Sequence, residues 1–394
     1  MKVSTLAAGF AVLAALSLGP VTQAVASAGP TPGEVQHWGA YFGDSNPRDT
    51  SPQLWPAGLN FPDPASVVQV GSSNAAQYAL LADGTVWAWG QGKFGELGNG
   101  GNQNSFASPV QVQFPAGLQI AFLATDAMPF DTALAVDTNG NAWGWGLNQR
   151  GELCMGTKTA YKVPVQLPLT GVTALAGAAG HAVYDSGGTV YSCGSNWNGV
   201  LGTGGQPGLA TTPVPVTGLT GQDVTALVSS FSNAGALLAD GAYYDWGYNA
   251  AGQLGNGNTG TSSPVPVQVA LPAPVTQVAE GGSAAGNGQT LVQLADGTLY
   301  AWGNDTYSQL GDGGTTAQDA PVQIFAPAGV SYVALASGGS TSYALAADGS
   351  VWAWGLGKNG QLGTGSRLTA PAPVQVPASP ASLISSTANN VVVN

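Results

Sequence analysis

In a chain of 394 residues, charged side chains make up 7%, against about 25% in an ordinary globular domain, while apolar ones make up 44% and include eleven tryptophans. So much apolar surface excludes a disordered chain. A net charge of −12 with only eight Lys and Arg argues against nucleic acid, whose binding requires clustered cations, and disfavours adhesion to anionic lipid.

The first element is a leader. Lys2 precedes an apolar run from Leu6 to Leu18, and small-residue sites follow at Ala24-Val25-Ala26 and Ala26-Ser27-Ala28. That order predicts a secretory signal peptide over residues 1–28. The run is too short for a bilayer core of about 30 Å, and no later stretch is apolar over a spanning length. The expected product is secreted and extracellular, without membrane insertion.

Residues 29–394 read as a single domain of repeats. Trp-Gly or its variant falls at Trp38-Gly39, Trp89-Gly90, Trp145-Gly146, Cys193-Gly194, Trp246-Gly247, Trp302-Gly303 and Trp354-Gly355, a period of roughly fifty. Ahead of most of them lies a turn dipeptide: Asp83-Gly84, Asn139-Gly140, Asp240-Gly241, Asp296-Gly297 or Asp348-Gly349. Flanked by short apolar runs, these predict hairpins with type I′ turns. Each unit therefore reads as two strands, a hairpin turn, a third strand ending in Trp-Gly, a longer loop and a fourth strand. The fourth carries alternating prolines, as in Thr212-Pro213-Val214-Pro215-Val216. Proline cannot donate to a ladder, so this strand is the outer edge.

The predicted blades span 65–113, 118–168, 172–218, 222–270, 274–326, 330–377, and 381–394 with 34–56. The last is composite, because Val35 to Gly39 begins on a third strand and the missing inner pair is supplied by Ala381 to Ser385 and Asn390 to Val393. The expected fold is all-β: a seven-bladed β-propeller with four antiparallel strands per blade, the last blade closed by N- and C-terminal strands.

Asp83 to Gly90 followed by Gly95-Glu96-Leu97-Gly98 resembles the repeat of the regulator of chromosome condensation family. Gly151-Glu152-Leu153, Gly252-Gln253-Leu254-Gly255, Ser308-Gln309-Leu310-Gly311 and Gly360-Gln361-Leu362-Gly363 carry the same motif. The resemblance covers nearly all the mature chain and implies a seven-bladed propeller. Its eukaryotic founder is a nuclear nucleotide-exchange factor for a small GTPase on chromatin. An exported acidic protein meets neither partner, so an exchange-like role rests on family analogy alone. Family repeats place histidine near the start of the second strand; here Ala76, Thr132, Asn233 and Thr341 stand there, and His181 alone lies near it. No exchange residue is carried over. As a secreted bacterial member the chain is more distantly similar to the propeller-type β-lactamase inhibitors, whose binding surface is aromatic at the turns between first and second strands. The matching turns here are small and polar, with Met128, Phe130 and Phe231 the bulky exceptions.

On that face the loops after Trp-Gly differ between repeats while their frames agree. Exposed aromatics and arginine there are what binding hot spots use. The candidate contact rim is Tyr41, Phe42, Lys93, Phe94, Arg150, Trp197, Tyr307 and Lys358, with Phe130 and Phe231 at the neighbouring turns; the bland reading is that each covers its own loop.

Chemistry has little to work with. Two histidines are present. His37 sits within a strand; His181 lies near the candidate face, close to Asp185, with no serine or cysteine motif beside it. Asp126, Asp131 and Asp185 are the acids to test for a glycosidase at the channel mouth. Asn304-Asp305 with Asp312 and Asp319 could hold calcium through oxygen ligands but lacks the spacing of a recognised calcium loop. No catalytic residue, metal or cofactor is expected. Cys154 and Cys193 each replace a repeat residue in adjacent blades; they read as one disulfide of an oxidising compartment, or as two buried thiols.

The expected function is a secreted protein-binding propeller, an enzyme inhibitor or cell-surface interaction module, and not an enzyme. Its partner would be an unidentified protein, a secreted enzyme or cell-wall component, bound by a monomer. The alternative is a propeller hydrolase acting on extracellular polysaccharide.

Overall fold

The computed structural model describes residues 35–39, 53–59, 66–73, 76–124, 132–178, 180–205, 208–282, 286–378, 380–386 and 390–393. The leader expected over residues 1–28 lies outside these. Among the described residues no helix is long and apolar enough to cross a membrane.

The short apolar runs between turn signals form strands, and the strands pair into antiparallel sheets of four. Six sheets each use four consecutive strands. Blade 1 comprises Val67–Ser72, Ala76–Leu81, Val86–Gly90 and Ser105–Gln111. Blade 2 comprises Ile120–Leu123, Thr132–Asp137, Ala142–Gly146 and Tyr161–Gln166. Blade 3 comprises Val172–Ala178, His181–Ser186, Thr189–Ser195 and Leu209–Pro215. Blade 4 comprises Val224–Ser229, Asn233–Leu238, Tyr243–Gly247 and Ser263–Gln268. Blade 5 comprises Val275–Gly281, Gln289–Leu294, Leu299–Gly303 and Gln318–Ile324. Blade 6 comprises Tyr332–Ser337, Thr341–Ala346, Val351–Gly355 and Ala370–Val376. The remaining sheet joins Gln53–Gly58 and Gln36–Gly39 to Asn390–Val393 and Ile384–Ser386. Of the seven blades expected, the last of them composite, six are contiguous four-stranded blades, and the seventh is a composite sheet to which the first Trp-Gly unit gives only its outer strand pair.

Second strands are buried along their length, whereas fourth strands are half-buried or exposed, the edge position their prolines require. The hairpins differ from expectation. Gly84 has φ 81, but Asp83 is not left-handed, so the turn is not type I′. Gly84 N–H donates to Leu81 O at 2.9 Å, and Asp83 Oδ1 accepts both the N–H and the hydroxyl of Thr85, at 2.9 and 2.7 Å. This is a type I turn followed by a left-handed glycine, and the Asp side chain fixes it.

Six tryptophans of the Trp-Gly motif are fully buried, and five of them form the joints between neighbouring sheets. The final glycine of each Gly-x-Leu-Gly lies against the next tryptophan: Gly98 on Trp145, Gly202 on Trp246, Gly255 on Trp302, Gly311 on Trp354 and Gly363 on Trp38, so closely that a Cβ would stand within about 3 Å of the indole. Four of these indoles also donate to a backbone carbonyl of the preceding motif: Trp145 to Glu96 O, Trp246 to Val200 O, Trp302 to Gln253 O and Trp38 to Gln361 O, at 2.8–2.9 Å. At the fifth, Ser342 Oγ takes the Gln309 carbonyl at 2.8 Å.

Blades 2 and 3 are joined differently. Cys154 stands at the glycine position and Cys193 at the tryptophan position, and they form a disulfide with Cα atoms 5.4 Å apart. Cys154 keeps the left-handed φ, 58°, that glycine adopts at the other joints. The Glu152 carbonyl, lacking an indole, accepts Tyr184 Oη at 3.3 Å.

Candidate functional site

The loops after Trp-Gly share one construction. The Glu or Gln of Gly-x-Leu turns its side chain back to accept a backbone N–H two residues earlier: Phe94 N–H to Glu96, Arg150 to Glu152, Ala251 to Gln253, Tyr307 to Gln309 and Asn359 to Gln361, at 2.7–2.9 Å. The residue at that N–H is the variable one. Because the bond takes the main chain, its side chain is free to differ from blade to blade. Backbone bonds then tie loop to next blade: Gly100 N–H to Lys162 O, Gly156 to Thr211 O, Gly204 to Pro264 O, Gly257 to Asp319 O and Gly313 to Pro371 O. The restriction of x in Gly-x-Leu to Glu or Gln in five repeats is the signal in the sequence for these bonds.

Of the expected rim, Trp197 and Tyr307 are exposed at 45% and 43%, Lys93, Arg150 and Lys358 are exposed, and Phe94 and Phe231 are half-buried. Tyr41, Phe42 and Phe130 lie outside the described residues. Two pairs meet. The Arg150 guanidinium carbon stands 4.6 Å from the Trp197 ring centroid, across the joint between blades 2 and 3, and Lys93 Nζ is 5.1 Å from the Phe94 ring. Gly180 provides the shelf for Arg150, since a Cβ there would strike Arg150 Cγ at 2.6 Å. Tyr307 and Lys358 each stand in their own loop. Phe231 N–H is bonded to Gly282 O of blade 5 at 3.3 Å.

Among the described residues, exposed charge is sorted between the two faces. Lys93, Arg150, Lys158, Lys162, Lys358 and Arg367, all the cations among the described residues, lie in or beside the loops after Trp-Gly and are exposed. Asp83, Asp223, Asp240, Asp296 and Asp348 are exposed at the opposite ends of the strands. Among the described residues, half-exposed Asp312 and Asp319 are the acids on the cationic side that are not buried.

The candidates for chemistry come apart. His181 opens its strand and Asp185 stands four residues along it, roughly 13 Å away at 3.3 Å per residue. The expected closeness, and the placing of Asp185 at the turns of the candidate face, are corrected: a strand carries its two ends to opposite faces. Asp185 accepts Thr173 Oγ1 near the hairpin end. His181 Nε2 is 2.7 Å from Ser229 Oγ of blade 4, and burial pushes its pKa down to about 4. It is a buried joint between blades. Asp126 and Asp131 lie outside the described residues. His37 is buried, its pKa likewise lowered to about 4 by desolvation.

Asp245 of blade 4 and Glu280 of blade 5 are the nearest thing to paired carboxyls. Both are buried, and burial holds both above the usual carboxylate range, with Glu280 further raising Asp245. Tyr243 Oη donates to Glu280 Oε1 at 2.6 Å. No substrate reaches them. Among the described residues no group of three or more His, Cys, Asp or Glu is placed to hold a metal. A cleft of about 530 Å³ lies on the opposite, acidic face, lined by Asp240, Leu271 and Pro274 among others.

Models of the regulator of chromosome condensation (RCC1) repeat match residues 83–122, 240–285, 296–345 and 348–391, and a second model of that repeat matches 332–361. The chain is 29% identical over 285 residues to the ultraviolet-B receptor UVR8 of Arabidopsis thaliana, covering 71% of this chain and 62% of that protein. It is 30% identical over 295 residues to the mitochondrial RCC1 domain-containing protein RUG3 of the same plant, covering 72% and 64%. It thus spans less than two thirds of the length of these relatives. Among solved structures, human WBSCR16 superposes with a TM-score of 0.78 at 20% identity, covering 92% of this chain and 99% of that one. Prp20p of Saccharomyces cerevisiae, whose structure was described with its binding to Gsp1p and histones, superposes with a TM-score of 0.78 at 21% identity, covering 92% and 91%. At such identities the likeness is one of fold.

Proposed function

Because the chain belongs to the regulator of chromosome condensation repeat family, a family of propellers whose yeast relative binds proteins, we propose that it is an exported propeller that binds another protein through the face bearing the loops after Trp-Gly. The observation that carries this reading is the sorting of exposed charge among the described residues, which puts six exposed cations on that face of a chain whose net charge is −12. Cations held on one face favour a partner surface rich in carboxylates and steer its approach. Trp197 and Tyr307 offer the large apolar contacts that anchor such an interface. The Cys154–Cys193 bond supports a secreted, oxidising location, since disulfides do not persist in a reducing cytosol.

Affinity capture from secreted and cell-wall fractions tests it, with the mature chain beside a variant carrying Arg150→Glu, Trp197→Ala and Lys358→Glu. A partner held by the unaltered chain and lost by the variant, with weaker retention at high salt, supports the reading. The same proteins retained by both would refute it.

A further inference from the structure

Blade 5 departs from a pattern that three other blades keep. Three residues past the Trp of Trp-Gly, or past the Cys that replaces it, stands Asn148, Asn196 or Asn249. Each bridges its loop in the same way. The side-chain oxygen accepts the backbone N–H five residues on, from Leu153, Leu201 and Leu254 at 2.9–3.1 Å. The side-chain nitrogen donates to the carbonyl nine residues on, of Thr157, Gly205 and Asn258 at 3.0–3.3 Å.

Blade 5 has Asp305 at this position. Its Oδ1 keeps the first bond, accepting Leu310 N–H at 2.9 Å. Its Oδ2 has nothing to donate and is left buried without a hydrogen-bond partner, in a side chain fully enclosed by the protein. The carbonyl nine residues on, that of Gly314, accepts Ser308 Oγ instead at 2.8 Å. Asp312 comes back toward the same loop: its Oδ1 accepts Gly314 N–H at 2.7 Å, while its Oδ2 has only a long contact, 3.4 Å, from Gln318. Burial and the neighbouring Asp312 push the Asp305 carboxyl up to about 7. An amide donor has been exchanged for a carboxylate oxygen beside a second carboxylate, and a buried charge without a partner is costly unless a positive group meets it.

We propose that the loop between the third and fourth strands of blade 5 is a calcium site, in which Asp305 Oδ2 and the Asp312 carboxylate are the charged ligands and the Gly314 carbonyl and water supply further oxygens. The chemistry selects the ion: all the groups offered are hard oxygens, and calcium accepts six to eight of them in irregular arrangement, as magnesium does not. Gly313, Thr315 and Thr316 are exposed, so water reaches the loop to fill the shell. With two carboxylates, affinity falls in the range of extracellular modules, a dissociation constant of about 10⁻⁴ to 10⁻³ M.

The test uses the mature chain, titrated with calcium chloride at pH 7.5 by calorimetry and followed by thermal unfolding, beside Asp305→Asn. This substitution restores the amide of the other three blades, so it is expected to fold, to unfold no lower than the unaltered chain without calcium, and to lose the response to calcium. The unaltered chain is expected to gain about 2 °C at about ten times the dissociation constant. The proposal is overturned if the unaltered chain shows neither heat nor shift, or if Asp305→Asn responds equally.

Discussion

Arg150 and Trp197 belong to different blades, yet the guanidinium of one lies over the ring of the other at 4.6 Å. Stacking holds both side chains in place before any partner arrives, which lowers the entropy lost on binding. Replacing either with alanine should weaken the captured partner by about tenfold or more while moving the unfolding midpoint by less than about 2 °C, since an exposed pair of this kind is worth roughly 0.5–1 kcal/mol. Arg150→Lys should fall between, because an ammonium lacks the planar stack. Unchanged dissociation constants across these variants would remove the pair from the interface.

The disulfide fills the place of a glycine-on-indole contact, so it should be exchangeable for one. Cys193→Ala alone is expected to cost about 2–5 kcal/mol and to lower the unfolding midpoint. Cys154→Gly with Cys193→Trp recreates the joint seen between the other sheets and relieves a side chain from left-handed backbone. It should recover a large part of that loss and be insensitive to reductant. If the double variant is no more stable than the single one, the two kinds of joint are not equivalent.

Glu280 stands where blades 1, 4 and 6 hold Ser72, Ser229 and Ser337. Its folded pKa, raised by burial to about 7 from an ordinary 4.5, means that the folded state favours the protonated acid. This contribution is full below about pH 4.5 and is lost as pH rises to 7. Glu280→Ser should therefore be more stable than the unaltered chain at pH 8, with the advantage shrinking toward pH 4.5. His37 and His181 act in the opposite sense, since each is held neutral and loses stability as pH falls from 6.5 to about 4. Thermal midpoints of the two proteins measured at several pH values isolate the glutamate; parallel curves would show that it does not titrate in this window.

Gln309 holds the Tyr307 backbone through its side-chain oxygen at 2.9 Å. Gln309→Ala should cost about 1 kcal/mol, speed amide exchange at Tyr307 and its neighbours, and leave the other blades unchanged. Exchange rates measured residue by residue decide it; uniform protection would mean that the loop is held from elsewhere.

Much of the fold was legible because Trp-Gly and the Asp-Gly turns recur with strict spacing, and because alternating prolines such as Pro213 and Pro215 admit one place in a sheet. The composite sheet was legible from Trp38, a third-strand residue, together with the strand pair Ala381 to Ser385 and Asn390 to Val393 at the other end of the chain. What failed depended on direction and local turn chemistry. Asp185 follows His181 closely in sequence, and only tracing the strand shows that its two ends leave by opposite faces. Asp83-Gly84 matched a type I′ signal, yet the Asp carboxylate bound Thr85 and drew the turn to type I. The cross-blade meeting of Arg150 and Trp197 is set by the angle between sheets, which no spacing encodes. The bonds to loop backbones made by Glu96, Glu152, Gln253, Gln309 and Gln361 were open to inference, because acids and amides of one length at one repeat position serve a shared acceptor role.

These five side chains grip peptide groups, and peptide groups are the same whatever residue carries them. Substitution at Phe94, Arg150, Ala251, Tyr307 or Asn359 therefore changes what the proposed binding face presents while leaving its anchorage intact. A lineage, or a library, can search new targets at these sites with little risk of unfolding, as an antibody does on its constant framework. Selection for a new partner should accumulate changes there first and spare the glutamates and glutamines that stand two residues behind them.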